Sequence, residues 1–306
     1  MSQKLGANNL IKKIKLIIAF ILYIIEFVFV INLILITRLI PFKISSFIFG
    51  NLLGNIFYRT SFSSRIKNNL RKIYPLSEEE FINSMTKKIW INTMRFIAET
   101  SHFLLGSGAG LLKKNVQFKN EKMIIDLLKI EQKSVIILTS HIGNWWFVGK
   151  FFKLHKIPAT SFYKATKNPF TRFIVKAGSM KLIEKNEINP VTVIKTLKGK
   201  GNALFTFQDH REFGGEKLKL LGHDAMTSVF FAKLAIKYQI PVMYTSCIRD
   251  KIKPTKFNIT FQEIYNPESD KEIDFLSLTQ KANDVISADI EENKEQWFWL
   301  HKRWKV

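Results

Sequence analysis

Residues 134–146 read SVIILTSHIGNWW. The run Val135–Leu138 is short and wholly apolar, as a strand buried in a parallel sheet must be. His141 follows at its lip, then Gly143, Asn144 and two tryptophans. Two more runs have the same character, ALFTFQD at 203–209 and IPVMYTSCI at 240–248. Helix-like stretches such as 190–198 and 227–238 alternate with them. This alternation predicts an α/β fold with a mostly parallel central sheet flanked by helices. Chemistry in open α/β sheets gathers at the carboxyl ends of strands. His141 ends one run, and Gln208 and Asp209 end another, so the two clusters are expected to converge on one cleft. Gly143 lets a backbone or a ligand approach closely, and Asn144 offers a donor.

Upstream of the sheet, SEEEFINSMTKKIWINTMRFIAET at 77–100 opens with Ser77 and carries Glu80 three residues later. That is a capping-box start to a helix. Further forward, residues 14–36 are almost wholly apolar, interrupted by Glu26 and Asn32. As a helix they would span about 34 Å at about 1.5 Å per residue, enough for a bilayer core. No small-residue cleavage site follows, so the segment reads as an uncleaved single-pass anchor. Glu26 is expected to face protein, protonate or lie near water. Residues 40–57 are apolar but broken by Lys43, Gly50 and Gly54, which fits an interfacial amphipathic segment or a core helix. The expected organisation is an anchor at 1–40 and an α/β domain at 41–306.

Lys and Arg total 47 against 25 Asp and Glu, a net charge of +22. Such an excess suits an anionic partner: nucleic acid, a phospholipid surface, or an acidic protein or substrate. No helix-turn-helix, zinc-finger or RNP-type motif is present, and the anchor also argues against nucleic acid. The single cysteine, Cys247, excludes an internal disulfide and favours a reducing compartment. It reads as a packed thiol in a buried strand. With the basic flank downstream of the anchor, it places the body on the cytoplasmic face. The histidines at 102, 141, 155, 210, 223 and 301 show no zinc-ligand spacing, so no metal is expected. No P-loop or dinucleotide fingerprint appears, so no nucleotide cofactor is expected.

Five blocks, in order, resemble the lipid A late acyltransferases, the lauroyl and myristoyl transferases of Gram-negative inner membranes within the glycerolipid acyltransferase superfamily. They are RIKNNLRKIYPLSEEE, TSHIGNWW, YKATKNP, FQDHREFGGEKLKLLGHDAMTS and EQWFWLHKRWK. The resemblance runs from about residue 60 to the C-terminus. It implies transfer of an acyl chain from acyl carrier protein to a hydroxyl of a phosphorylated glycolipid, without a cofactor, at the inner membrane. It implies His141 as the base. It also implies substrate contacts from Gly143, Asn144, Trp146, Tyr163, Lys164, Gln208, Lys302 and Arg303. The family motif is histidine, four residues, then Asp or Glu; here Trp146 stands in the acid's place. Phe207 and Lys164 also depart from the family pattern. Three readings follow: Asp209 or Glu212 supplies the carboxylate from the neighbouring strand end; the chain is a non-catalytic lipid-binding relative; or the acceptor differs from lipid A. Trp146 itself lines an acyl groove or packs in the core.

Overall fold

The computed structural model describes residues 2–104, 108–163, 165–178, 180–184 and 190–304. The chain opens with helix α1, Ser2–Leu39, of which Lys12–Leu39 is long and apolar enough to cross a membrane. Its apolar side chains are largely bare, Ile17 and Phe29 among them. Glu26 is exposed with them, so it does not turn onto protein. Contacts hold the helix to the body: Asn168 donates to the Tyr23 carbonyl at 2.9 Å, and Phe20 and Phe27 pack on Phe170.

Pro41 ends this helix, and α2, Phe42–Tyr58, follows. Two glycines one turn apart let α2 lie against α4, Glu79–Leu104. A Cβ on Gly50 would meet Arg95 Cγ at 2.4 Å, and one on Gly54 would meet Ile91 Cα at 2.8 Å. Ile44, Ile48, Leu52 and Ile56, four residues apart, with Phe47, form a bare apolar stripe on α2. Between these helices α3, Ser63–Ile73, buries Ile66, Leu70 and Ile73 at helical spacing. α4 begins just after Glu78 rather than at Ser77, and Arg71 clasps the carboxylate of its first residue, Glu79.

The body alternates α5 (Ala109–Asn115), β1 (Val116–Lys119), α6 (Glu121–Ile125), β2 (Val135–Thr139), α7 (Trp145–Leu154) and β3 (Ala159–Tyr163). It continues with α8 (Pro169–Gly178), β4 (Lys181–Glu184), α9 (Pro190–Lys198), β5 (Ala203–Phe207), β6 (Glu216–Leu220) and β7 (His223–Thr227). It closes with α10 (Phe230–Tyr238), β8 (Val242–Arg249), β9 (Phe257–Tyr265) and α11 (Phe275–Glu292). Residues 227–229, expected to be helical, belong instead to the end of β7 and the turn before α10. The main sheet has seven strands in the order β1-β9-β8-β2-β5-β3-β4. β8, β2, β5, β3 and β4 run parallel, while β9 pairs antiparallel with β8 and parallel with β1. β2 lies centrally with all five residues buried, as its unbroken apolar run requires. β6 and β7 form a separate hairpin beyond β5.

Hydrophobic clusters cover both faces of the sheet. One gathers Ile136, Leu138, Tyr244 and the tryptophans 297, 299 and 304. The other gathers Ile137, Phe147, Phe151, Phe205 and Cys247. Cys247 is fully buried, and burial pushes its thiol far above the ordinary range, so it is an inert packing group.

Candidate active site

β2 and β5 are paired neighbours, with Thr139 opposite Phe207. Their register brings the residues just past both ends together. His141 Nδ1 lies 2.9 Å from Asp209 Oδ1, and the His141 backbone N–H donates to Asp209 Oδ2 at 2.8 Å. A third donor, the indole Nε1–H of Trp297, reaches Oδ2 at 2.9 Å. An ionised carboxylate only accepts, so Nδ1 carries the ring proton and Nε2 is left as the acceptor. Burial would raise the Asp209 carboxyl. The nearby imidazoles of His141, His301 and His210, with the His141 hydrogen bond, outweigh it and hold the carboxyl well below the usual range.

Aromatic side chains wall the imidazole. Phe207 stacks on it with ring centroids 4.3 Å apart, and Trp145 meets it edge-on at 5.0 Å. Trp145 in turn stacks on Phe96 at 4.0 Å, and Phe298 closes the far side. Only 15% of the His141 side chain is exposed, while Asp209 is wholly buried. A small recess on the Trp145 side is lined by Asn92, Thr93, Phe96, Gly143, Trp145 and Phe298. A larger cavity, about 650 Å³, lies at the opposite edge of the sheet, beside Ser134 and Pro241, where the strands begin. That edge lies away from the carboxyl ends of β2 and β5, where His141 and Asp209 meet.

The C-terminal segment completes the site. The Phe298 N–H donates to the His141 carbonyl at 2.9 Å, and the Gly143 N–H to that of Gln296 at 3.0 Å. Asn69 Nδ2 fastens the segment by donating to the Trp299 and His301 carbonyls at 2.7 and 2.9 Å. This carries His301 to 4.7 Å from His141, ring to ring, and His210 stands at 4.6 Å. One ring nitrogen from each of the three histidines lies within 4.8 Å of the others. Sequence spacing gave no hint of this set, because its members come from three separate parts of the chain. Burial pushes His301 down to about 3, so its ring is neutral at pH 7.

The remaining expected residues divide by position. Gly143 is approached by backbone: its φ is +58°, and a Cβ would lie 1.9 Å from the Cys247 carbonyl oxygen. Asn144 is fully buried and donates to Glu99 Oε2 at 3.1 Å. Glu99 is also buried, and Arg249 Nη2 donates to it at 2.9 Å and Ser46 Oγ at 2.6 Å. Gln208 is buried and donates to the Ser228 carbonyl at 2.9 Å. Arg303 is buried against the hairpin, donating to the Met226 carbonyl at 2.6 Å and to Thr227 Oγ1 at 2.7 Å. Burial pushes its guanidinium down to about 10, which leaves it charged at pH 7. Asn144, Gln208 and Arg303 therefore bind protein groups here. Tyr163, at the end of β3, donates to Glu184 at 3.1 Å. Trp146 is half-buried at the start of α7, Glu212 is half-buried in the loop before β6, and Lys302 is exposed. Lys164 lies outside the described residues. Trp145, Trp297, Phe207 and His210 were not singled out as site residues from sequence. Only the strand-end placement of Phe207 and the closing aromatic block offered a signal for any of them.

No curated protein matches the chain. Among solved structures, the 1-acyl-sn-glycerophosphate (LPA) acyltransferase PlsC from Thermotoga maritima is similar over 81% of this chain and 98% of that one, at 12% identity and a TM-score of 0.38. Residues 13–306 match the family described as bacterial lipid A biosynthesis acyltransferase, and the chain belongs to that family.

Proposed function

We propose that this acyltransferase moves a fatty acyl chain from the thioester of acyl carrier protein to a hydroxyl of a phosphorylated glycolipid of the lipid A precursor class, at the cytoplasmic face of the inner membrane. The observation that carries the reading is the His141–Asp209 pair at the carboxyl edge of β2 and β5. Nε2 of His141 takes the acceptor's hydroxyl proton while the oxygen attacks the thioester carbon. The new C–O bond forms, the C–S bond breaks, and the departing thiolate receives the proton from the imidazolium. Asp209 keeps the ring in the required tautomer and stabilises its transient positive charge.

The apolar collar of Trp145, Phe96 and Phe298 suits an acyl chain beside the ring. The bare helix α1 and the α2 stripe suit a bilayer, and the +22 charge suits both an acidic carrier and a phosphorylated lipid. A non-catalytic lipid-binding role drew its support from the missing motif acid; a carboxylate on Nδ1 takes that support away. The test is transfer by the full chain in detergent micelles, with acyl carrier protein thioesters and glycolipid acceptors, products read by mass. Wild type should acylate a hydroxyl of the glycolipid, and His141→Ala should lose about 10²- to 10⁴-fold. Undiminished turnover in that variant removes His141 as base, and acylation only of a glycerophospholipid replaces the acceptor.

A further inference from the structure

His210 and His301 take no step in the transfer described above, yet both rings close on His141. We propose that His141, His210 and His301 form a binding site for a zinc-class divalent ion, and that the ion silences transfer by occupying the His141 lone pair the acceptor proton needs. The silencing rests on His141 as the base; the binding does not.

The geometry is close to what zinc requires. One nitrogen from each ring lies within 4.8 Å of the other two. Zinc holds imidazole nitrogens at about 2.0–2.1 Å, which sets neighbouring ligands roughly 3.3 Å apart in a tetrahedron. Loading an ion therefore requires the rings to pivot toward one another. The Nε2 of His301 is buried with no hydrogen-bond partner among the described residues, an uncompensated polar atom that an ion would satisfy. Asp209 on His141 Nδ1 is the outer partner that a metal-bound imidazole commonly has, and it leaves Nε2 as the ring's free acceptor. The donors are all imidazole, which suits zinc or cobalt and not magnesium or calcium. Three protein ligands leave a fourth position for water.

The probe is Co²⁺ titrated into the metal-stripped full chain in detergent, followed by its visible absorption, with Zn²⁺ as competitor. One equivalent should bind and be displaced by zinc. His210→Gln and His301→Gln should each weaken binding by at least about 10-fold, and Asp209→Asn, which keeps all three ligands, by about 10- to 100-fold. Cobalt binding of unchanged strength in both histidine variants assigns the ion to surface groups and overturns the site, and so does failure of wild type to bind. Zinc should inhibit wild-type transfer, a chelator should restore it, and whatever activity His210→Gln retains should resist zinc. A metal-stripped enzyme that gains activity with zinc overturns the silencing. The cobalt spectrum needs no turnover, so failure of the acyl-transfer reading leaves the metal test intact.

Discussion

Asp209 accepts from three donors, two of them on His141, so its charge and the orientation of the ring are one arrangement. Asp209→Asn keeps the volume and removes the charge. Its amide can donate to Nδ1, which moves the ring proton to Nε2 and turns the base into a donor. Turnover should fall by about 10⁴-fold with little change in acceptor KM, in steady-state assays on protein whose circular dichroism matches wild type. The same substitution tests linkage. The folded carboxyl is depressed, so its contribution to stability is present above the unfolded value near 4 and is lost as pH falls below it. The difference in unfolding free energy between wild type and Asp209→Asn should be full at pH 6 and shrink toward pH 3. A difference independent of pH would mean that the carboxyl is not held ionised by the imidazoles. Trp146→Glu puts the acid back where the family motif carries it. Nδ1 is already occupied by Asp209, so this variant should show no gain in turnover; a gain would mean that Asp209 does not orient the base. The strand-end rule made His141 and Asp209 legible in the sequence, because parallel neighbours end at one level. Trp297 was not legible, because its placement depends on the C-terminal segment folding back across 88 residues to Asp209. The closing block displayed His301 but not its approach to His141, and no pattern marked His210 beside Asp209.

α2 has two faces with opposite tasks. Gly50 and Gly54 remove side chains where α4 must come close, while Ile44, Phe47, Ile48, Leu52 and Ile56 stay bare. The sequence displayed the helix and its apolar content but left an interfacial segment and a core helix equally open. Only the packing separates the small face, which lies on α4, from the apolar stripe, which stays bare. The same limit applies to the sheet. Its buried parallel strands stand out as unbroken apolar runs, whereas β9 alternates polar and apolar residues and β1 and β4 are short, so they gave little signal. From Ser46 on α2, the buried Glu99 connects to Asn144, three residues beyond His141, and to Arg249 on β8. The helix with the bare stripe is thus tied to the backbone of the site. If the stripe lies in the interface, a fluorophore on Phe47→Cys or Leu52→Cys should be quenched by nitroxide-bearing lipids in vesicles. One on Ile252→Cys, on an exposed loop of the body, should not. Buried Cys247 leaves the introduced thiol as the reactive one. No quenching at Phe47 or Leu52 would place α2 away from the bilayer.

At the scale of the whole chain, +22 charges ride on a body with one long bare helix. Under the proposed reaction two anions are candidates for that field: a bilayer with a phosphorylated lipid, and an acidic carrier that brings the thioester. They are separable by ionic strength. Exposed charges act over about 10 Å at 0.1 M salt and over less as salt rises. A carrier docking on a basic face gains mainly in association rate, so the loss on screening should appear in KM for the carrier and leave kcat nearly constant. Raising salt from about 50 to about 300 mM should therefore raise that KM several-fold. The control is an uncharged short acyl thioester offered to the same enzyme with the same glycolipid. It shares the acceptor, the base and the fold, and lacks only the carrier's charge, so its KM should stay flat. If both donors lose activity in parallel, the field acts on the lipid or on the folded chain and the basic face is not a carrier dock. If neither responds, the excess charge has no part in donor selection.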